Sequence, residues 1–277
     1  MGLLSDMARS SAARVAAARE RVPDEALRDA AIAAPPPPRL VLPPDGFDLI
    51  AELKLRSPSM GDLSATTIDP LRRLEAYAEG GAAVCSILTE PTRFDGDLDH
   101  LRRATEVLAP HRVPAMRKDF LVDPYQVLEA RAAGASGVLL IVRMLSRARL
   151  TEMLDCAAEH GLFVLLEAFD AADLAVAQAV AAERAGRDEQ VLIGLNCRDL
   201  ETLAIDAARF AALRGQLPSG WPSVAESGVQ SPGDAARIAA LGYRLALVGT
   251  SLMQRTDPRE AVRELLLAGR TAHGGAA

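Results

Sequence analysis

Of the 31 lysines and arginines in this 277-residue chain only two are lysines, Lys54 and Lys118, and there is a single asparagine, Asn196. A bias towards arginine explains why lysines are few, but not where these two stand. Guanidinium stays charged at any accessible pH, whereas a desolvated ammonium can give up its proton and act as a general acid near neutrality. A position that keeps lysine in such a chain points to a need for a tunable amine. Carboxylates accompany both: Glu52 lies two residues before Lys54, and Glu167 and Glu226 each end a short apolar run. Asn196 and Arg198 stand two apart at the end of another such run. Amines, carboxylates and an amide gathered in one place would do proton-transfer chemistry.

A second group consists of small residues. Ser57-Pro58-Ser59-Met60-Gly61, Ser227-Gly228 and Gly249-Thr250-Ser251 each follow an apolar run, where small side chains let backbone N–H groups approach an anion. A phosphate would sit there, on Ser57, Gly228, Gly249 and Thr250, helped by the positive end of a following helix.

The elements that must position these groups follow from periodicity. Short β-rich runs at 49–55, 83–88, 113–117, 137–142, 162–167, 191–196, 222–226 and 245–249 predict eight strands. Their centres are roughly 23 to 35 residues apart, with helical patterns such as 70–80, 123–133 and 232–241 in the gaps, the βα rhythm of a parallel sheet. Eight such units predict an α/β fold, a (β/α)8 TIM barrel. A doubly wound open sheet is the rival; it usually has fewer strands, and the GxGxxG turn expected after its first strand is absent. Side chains alternate along a strand, so Glu52 and Lys54 share the face pointing into the barrel, while Ala51, Leu53 and Leu55 face the helices. The polar residues then cluster at strand C-terminal ends, where barrels place active sites.

Residues 1–44 read as an N-terminal helical extension, closed by the prolines at 35–38, 43 and 44. Residues 45–270 form the barrel and 271–277 a frayed, flexible tail. An amphipathic preface of this kind covers either its own barrel or a partner.

Other candidates carry less. His100, His111, His160 and His273 lie scattered, with no metal-ligand spacing, so no metal site is expected. Cys197 should point away from the mouth and pack in the core. Asp95 and Asp97 around Gly96 read as a turn, because a calcium loop needs a further ligand. Phe94 and Phe120 either stack against an aryl substrate or anchor their loops. A net charge of -6 and a pI near 5.4 argue against nucleic-acid and membrane surfaces. The odd set Cys85, Cys156 and Cys197, without a CxxC, fits a reducing cytoplasm. No apolar run approaches the roughly 20 residues of a membrane span. The N-terminus lacks a signal-peptide apolar region, and is too acidic for a transit peptide.

Taken in order, Ile50-Ala51-Glu52-Leu53-Lys54, Ser57-Pro58-Ser59, Arg117-Lys118-Asp119-Phe120, Glu167, Gly194-Leu195-Asn196-Cys197-Arg198-Asp199-Leu200 and Glu226-Ser227-Gly228 resemble the indole-3-glycerol phosphate synthase family over about residues 45–268. The resemblance implies ring closure of 1-(2-carboxyphenylamino)-1-deoxyribulose 5-phosphate with loss of carbon dioxide and water. It implies no metal and no organic cofactor, and a phosphorylated anthranilate-sugar as the small-molecule partner. A monomer is the default, since the sequence carries no signal for oligomeric state. It gives Lys54 and Arg198 the anthranilate carboxylate, Lys118 the sugar carbonyl oxygen and Glu167 a general acid or base role in dehydration. Glu52, Asn196 and Glu226 would position and polarise the substrate, with Ser57, Phe94, Phe120 and Ser227 as further contacts. Whether Lys118 or Lys54 protonates the leaving hydroxyl is left open by spacing. Departures from the family pattern are Met60 in place of a common lysine, Cys197 in place of a second asparagine, and Ala168-Phe169 in place of a more polar pair. None removes a proposed catalytic group, and they leave room for a copy serving a specialised pathway. A sister phosphoribosylanthranilate isomerase would need a strand-one cysteine, and Glu52 and Lys54 stand there instead. A catalytically silent binding partner is the other alternative, disfavoured because buried charges are costly to keep without use.

Overall fold

A computed structural model describes residues 2–44, 46–57, 61–62, 68–200 and 202–274, with side chains given for all of these but 57, 61, 62 and 274. Eight parallel strands form its centre: β1 (Asp48–Leu53), β4 (Val84–Leu88), β5 (Ala115–Lys118), β6 (Gly137–Ile141), β7 (Phe163–Ala168), β8 (Val191–Asn196), β9 (Ser223–Glu226) and β10 (Leu245–Val248). They close a barrel in the order β1, β10, β9, β8, β7, β6, β5, β4 and back to β1. All eight lie within two residues of their expected bounds, because strands buried on both faces read as short, nearly continuous apolar runs bounded by turn residues. A small antiparallel pair, β2 (Arg56–Ser57) and β3 (Gly61–Asp62), follows the first strand and was not anticipated.

Alternation sorts the strand residues into two cores. Ile50, Val84, Met116, Leu139, Phe163, Leu165, Leu192, Val224, Leu245 and Leu247 fill the barrel. Leu49, Ala51, Leu53, Cys85, Val138, Leu166, Ile193, Ala225 and Ala246 face outwards against the helices. These are α3 (Pro70–Gly80), α4 (Pro91–Phe94), α5 (Leu98–Leu108), α6 (Pro124–Ala132), α7 (Arg147–Glu159), α8 (Ala171–Ala182), α9 (Ala208–Ala212), α10 (Pro232–Ala240), α11 (Thr250–Met253) and α12 (Pro258–Gly274). Five of them begin alike. Asp69, Glu90, Asp123, Ser231 and Asp257 accept hydrogen bonds from first-turn N–H groups while Pro70, Pro91, Pro124, Pro232 and Pro258 occupy the first helical position. Each cap of this type is worth about 1 kcal/mol, and the proline presets the helical φ.

The N-terminal extension covers its own barrel. Helices α1 (Leu3–Arg21) and α2 (Asp24–Ala33) bury Val15, Ala18, Leu27 and Ala31 against Tyr125 and Leu128 of α6. Tyr125 donates its hydroxyl to the Val22 carbonyl, and Arg131 donates to the Ala34 carbonyl. The proline-rich segment then passes beneath the barrel: Leu40 joins the interior cluster and its carbonyl accepts from Gln190. Arg244, just before β10, donates to the carbonyls of Pro43, Pro44 and Gly46. These carbonyls lie outside any helix or sheet ladder, so this arginine supplies their partners.

One expectation is corrected at the other end. Residues 271–274, expected as frayed tail, continue α12. That helix packs its apolar face on α3, α10 and β1, and Arg270 pairs with Asp48 at 2.6 Å, so its last turn is anchored close to its end. Among the described residues no helix is long and apolar enough to cross a membrane. Cys85, Cys156 and Cys197 are free thiols.

Candidate active site

A cavity of about 780 Å³ opens at the C-terminal ends of the strands. It brings together Glu52 and Lys54 from the first strand and its end, Lys118 from β5, Glu167 from β7, Asn196 and Arg198 at the end of β8, and Glu226 from β9. Phe94, Phe120, Ser227, Gly228, Gly249 and Thr250 line it as well. Of the expected site residues only Ser57 is not placed, because its side chain, like Pro58, Ser59 and Met60, lies outside the described residues.

The charged groups form two linked sets. Lys54 donates to Glu52 at 2.8 Å. Lys118 donates to Glu167 at 3.1 Å and lies 3.7 Å from Glu226. Asn196 uses both ends of its amide: Nδ2 donates to Glu167 at 2.8 Å, and Oδ1 accepts from the Arg198 backbone at 2.9 Å. The single asparagine thus fixes the carboxylate beside Lys118 and the start of the loop that presents Arg198. An aspartate could not donate there, and an alanine would leave Glu167 short of a partner.

Two glycines make this packing possible. A Cβ on Gly194 would lie 2.1 Å from Glu226 Oε1, and one on Gly249 would lie 2.3 Å from Glu52 Oε1 and 3.0 Å from Lys54 Nζ. The carboxylates therefore rest directly on neighbouring strand backbone, out of water. Burial pushes Glu226 well above the usual carboxylate range, and the nearby Glu167 charge adds to this against the pull of Lys118. Both Glu226 oxygens are buried without a hydrogen-bond partner. For Lys118 burial acts to lower the pKa, but Glu167, Glu226 and Glu52 outweigh it and hold the ammonium charged. Glu52 is likewise held below its ordinary value, because Lys54, Lys118 and Arg198 overcome its burial. The result is a charged amine between two carboxyl groups, of which Glu226 is the one that burial and the neighbouring Glu167 drive towards its protonated form.

Beside this set lies the small-residue region. Ser227 and Gly228 are consecutive residues at positive φ, 68° and 73°. That conformation costs a non-glycine residue roughly 1–2 kcal/mol, a strain of the kind that gathers at functional loops. Gly249 leads into the short α11, whose first N–H groups lack intrahelical acceptors. Ser251 Oγ donates to the Val229 carbonyl, joining the two loops. Arg73, fully buried on α3, donates to the carbonyls of Leu252 and Arg255 and so fixes the far end of α11.

Phe94 and Phe120 face each other across the wall with ring centres 6.4 Å apart and planes inclined by 36°. Cys197 is fully buried in the outer core, where burial pushes its thiol up to about 11. Asp95 and Asp97 are helix-terminal turn residues, as expected. Phe169 packs with the barrel interior and under the Arg143 guanidinium, 4.8 Å away, which accommodates the second of the two apolar residues after Glu167. Among the described residues no cluster of His, Cys, Asp and Glu could hold a metal ion.

Sequence reasoning missed several lining residues. Leu139 and Ile141 of β6 could have been found by alternation, since they share the inward face. Leu3, Asp6 and Met7 of α1, and Leu200, Leu203 and Ile205 of the loop after β8, reach the cavity only through the fold.

Fold and site together define a (β/α)8 barrel whose strand ends gather lysines, carboxylates and an amide in one cavity. Comparison with known proteins gives the particular family. The family model described as indole-3-glycerol phosphate synthase matches residues 4–265. Proteins of that name from Mycobacterium avium (strain 104) and Mycobacterium leprae (strain TN) are 42% and 40% identical over 259 and 269 residues, covering 93% and 96% of this chain and 91% and 94% of theirs. One from Nocardioides sp. is 45% identical over 239 residues, 85% of this chain and 87% of its own. The chain belongs to the indole-3-glycerol phosphate synthase family. Solved structures share the fold at low identity: 3-hexulose-6-phosphate synthase from Salmonella typhimurium (TM-score 0.60, 15% identity, 82% of this chain and 100% of that one) and KGPDC from Streptococcus mutans (0.61, 8%, 82% and 98%).

Proposed function

We propose that this chain closes the indole ring of 1-(2-carboxyphenylamino)-1-deoxyribulose 5-phosphate, releasing carbon dioxide and water, as a monomeric cytosolic enzyme. The observation that carries the reading is Lys118 held between Glu167 and Glu226, across one cavity from the Glu52–Lys54 pair. The substrate phosphate binds the backbone of Ser227-Gly228 and Gly249-Thr250, with Ser57 alongside. Its aryl ring lies on the wall formed by Phe94 and Phe120, and Lys54 and Arg198 hold its carboxylate.

Ring closure requires the sugar carbonyl to become electrophilic while the aryl carbon bonds to it. Lys118 protonates the carbonyl oxygen, and Glu226 supplies the replacement proton. Loss of carbon dioxide then restores the ring electrons, which a carboxylate held by two fixed cations can undergo without recruiting solvent charge. Dehydration follows: the new hydroxyl leaves with a proton from a mouth lysine, and Glu167, oriented by Asn196, takes the proton lost from the substrate. A positioned general acid contributes about 10²–10⁴-fold.

The test is to mix purified protein with this substrate and follow indole fluorescence, alongside Lys118→Ala and Lys118→Arg. Turnover in the parent that both variants lose by about 10²-fold or more supports the assignment. A parent that binds the substrate without forming product refutes catalysis in favour of a binding role, and an active Lys118→Arg refutes the need for an amine.

A further inference from the structure

Helix α1 does more than cover apolar surface. Arg14, on its inner side, grips Asp119 with both guanidinium nitrogens, Nη1 to Oδ2 at 2.9 Å and Nη2 to Oδ1 at 2.7 Å. The Asp119 side chain is fully buried and sits between Lys118 and Phe120, both of which face the cavity. It also accepts from Thr89 Oγ1 at 2.8 Å, from Arg117 Nη2 at 3.3 Å and from the Phe120 backbone at 2.8 Å. Thr89 in turn donates its own N–H to the Lys118 carbonyl at 3.0 Å. Asp119 is thus the junction of α1, the end of β4 and the end of β5, at the residue after the catalytic amine. Burial alone would raise its pKa, but the hydrogen bond from Arg14 and the charge of Arg117 keep it ionised.

The other ties of α1 are of a different kind. Arg19, itself part-exposed, pairs with the exposed Asp24 and with Asp123, which caps α6, and none of the three lines the cavity. Ser11 accepts from Gln126 Nε2 on α6. Only the Arg14 contact among these ends on the chain segment that carries Lys118. The same helix contributes Leu3, Asp6 and Met7 to the cavity wall.

We propose that Arg14 is a positioning residue for the ring-closure reaction: through the two-pronged contact with Asp119 it sets the end of β5, and with it the placement of Lys118 against Glu167 and of Phe120 in the wall. The inference rests on Lys118 acting as the acid. Rate is sensitive to such placement, since about 1 Å of error can cost about 10²-fold. A lysine at position 14 retains the charge but not the planar fork, so it should restore placement only in part.

The experiment measures single-turnover rate, kcat and KM for the carboxyphenylamino-deoxyribulose phosphate in Arg14→Met, Arg14→Lys and Arg19→Met, with Lys118→Ala beside them. Thermal melting verifies folding at the assay temperature. The expected single-turnover rates fall in the order parent, Arg14→Lys, Arg14→Met, with Arg14→Met about tenfold or more below the parent, KM changed less than the rate, and Arg19→Met at the parent rate. A folded Arg14→Met with the parent single-turnover rate overturns the proposal, as does an equal loss in Arg19→Met, which would make the effect one of tethering α1. If Arg14→Met does not fold, Arg14→Lys decides: a rate equal to the parent overturns the proposal, and a reduced rate with unchanged melting supports it. Full activity in Lys118→Ala would instead refute the acid assignment on which the inference rests, a result separable from the Arg14 series.

Discussion

Gly194→Ala tests the claim that Glu226 rests on bare strand backbone. The added Cβ would meet Glu226 Oε1 at 2.1 Å, with Glu226 Cδ and Leu165 Cδ1 both at 3.1 Å. A carbon–oxygen contact needs roughly 3.2 Å or more, so something must move by about 1 Å. The backbone cannot easily do so, because β8 is paired on both sides, Gly194 opposite Glu167 on β7 and Val224 on β9. Leu165 blocks a sideways escape, so the carboxyl must swing within the cavity and alter its 3.7 Å separation from Lys118. Overpacking of this kind costs about 1–3 kcal/mol. At about 2–4 °C per kcal/mol for a domain of this size, the expected fall in Tm is several degrees. Displacing a group beside the acid by about 1 Å should lower kcat/KM by about 10²-fold. Indole fluorescence and calorimetry give both quantities. Gly215→Ala is the control, because a Cβ there meets nothing within 4 Å, and it should leave both values near those of the parent. Parental kcat/KM and Tm in Gly194→Ala would refute the packing argument.

Glu226→Gln should change the pH dependence of stability. A buried carboxyl with a raised pKa contributes fully below the ordinary carboxylate range of about 4.3, and its contribution is lost as pH rises towards the raised value. Relative to the parent, the glutamine variant should therefore gain Tm between pH 5 and 8 (approximate limits set by the unperturbed carboxylate pKa) and gain little below it; a constant offset across that window would refute the shift given to Glu226. Deleting residues 1–44 should leave a poorly soluble, inactive barrel, because it uncovers Tyr125 and Leu128, removes Leu40 from the interior cluster and frees Asp119 of Arg14. A soluble truncated barrel with parental turnover would show that the extension serves something other than this barrel.

Much of this protein was legible without coordinates because two periodicities do most of the specifying. Period two placed Glu52 with Lys54 inside the barrel and Cys197 outside it, and eight βα repeats required closure. Scarcity did the rest: in a chain that writes arginine almost everywhere, two lysines and one asparagine could be traced to the cavity one by one. The identities of the charged groups and the strand ends on which they sit are local facts, carried by residue type and spacing.

What pairs with what is not local. Lys118 meets Glu167 from 49 residues away, and Asn196 meets Glu167 from 29. No spacing rule distinguishes these partners from Glu52 or Glu226, which lie in the same cavity. Which carboxyl is pushed towards its protonated form depends on burial and on distances to several charges at once, and those exist only after closure. The course of the N-terminal extension was undetermined for the same reason. An amphipathic helix specifies an apolar stripe but not the surface that covers it, and tertiary packing alone put Arg14 on Asp119, 105 residues along the chain.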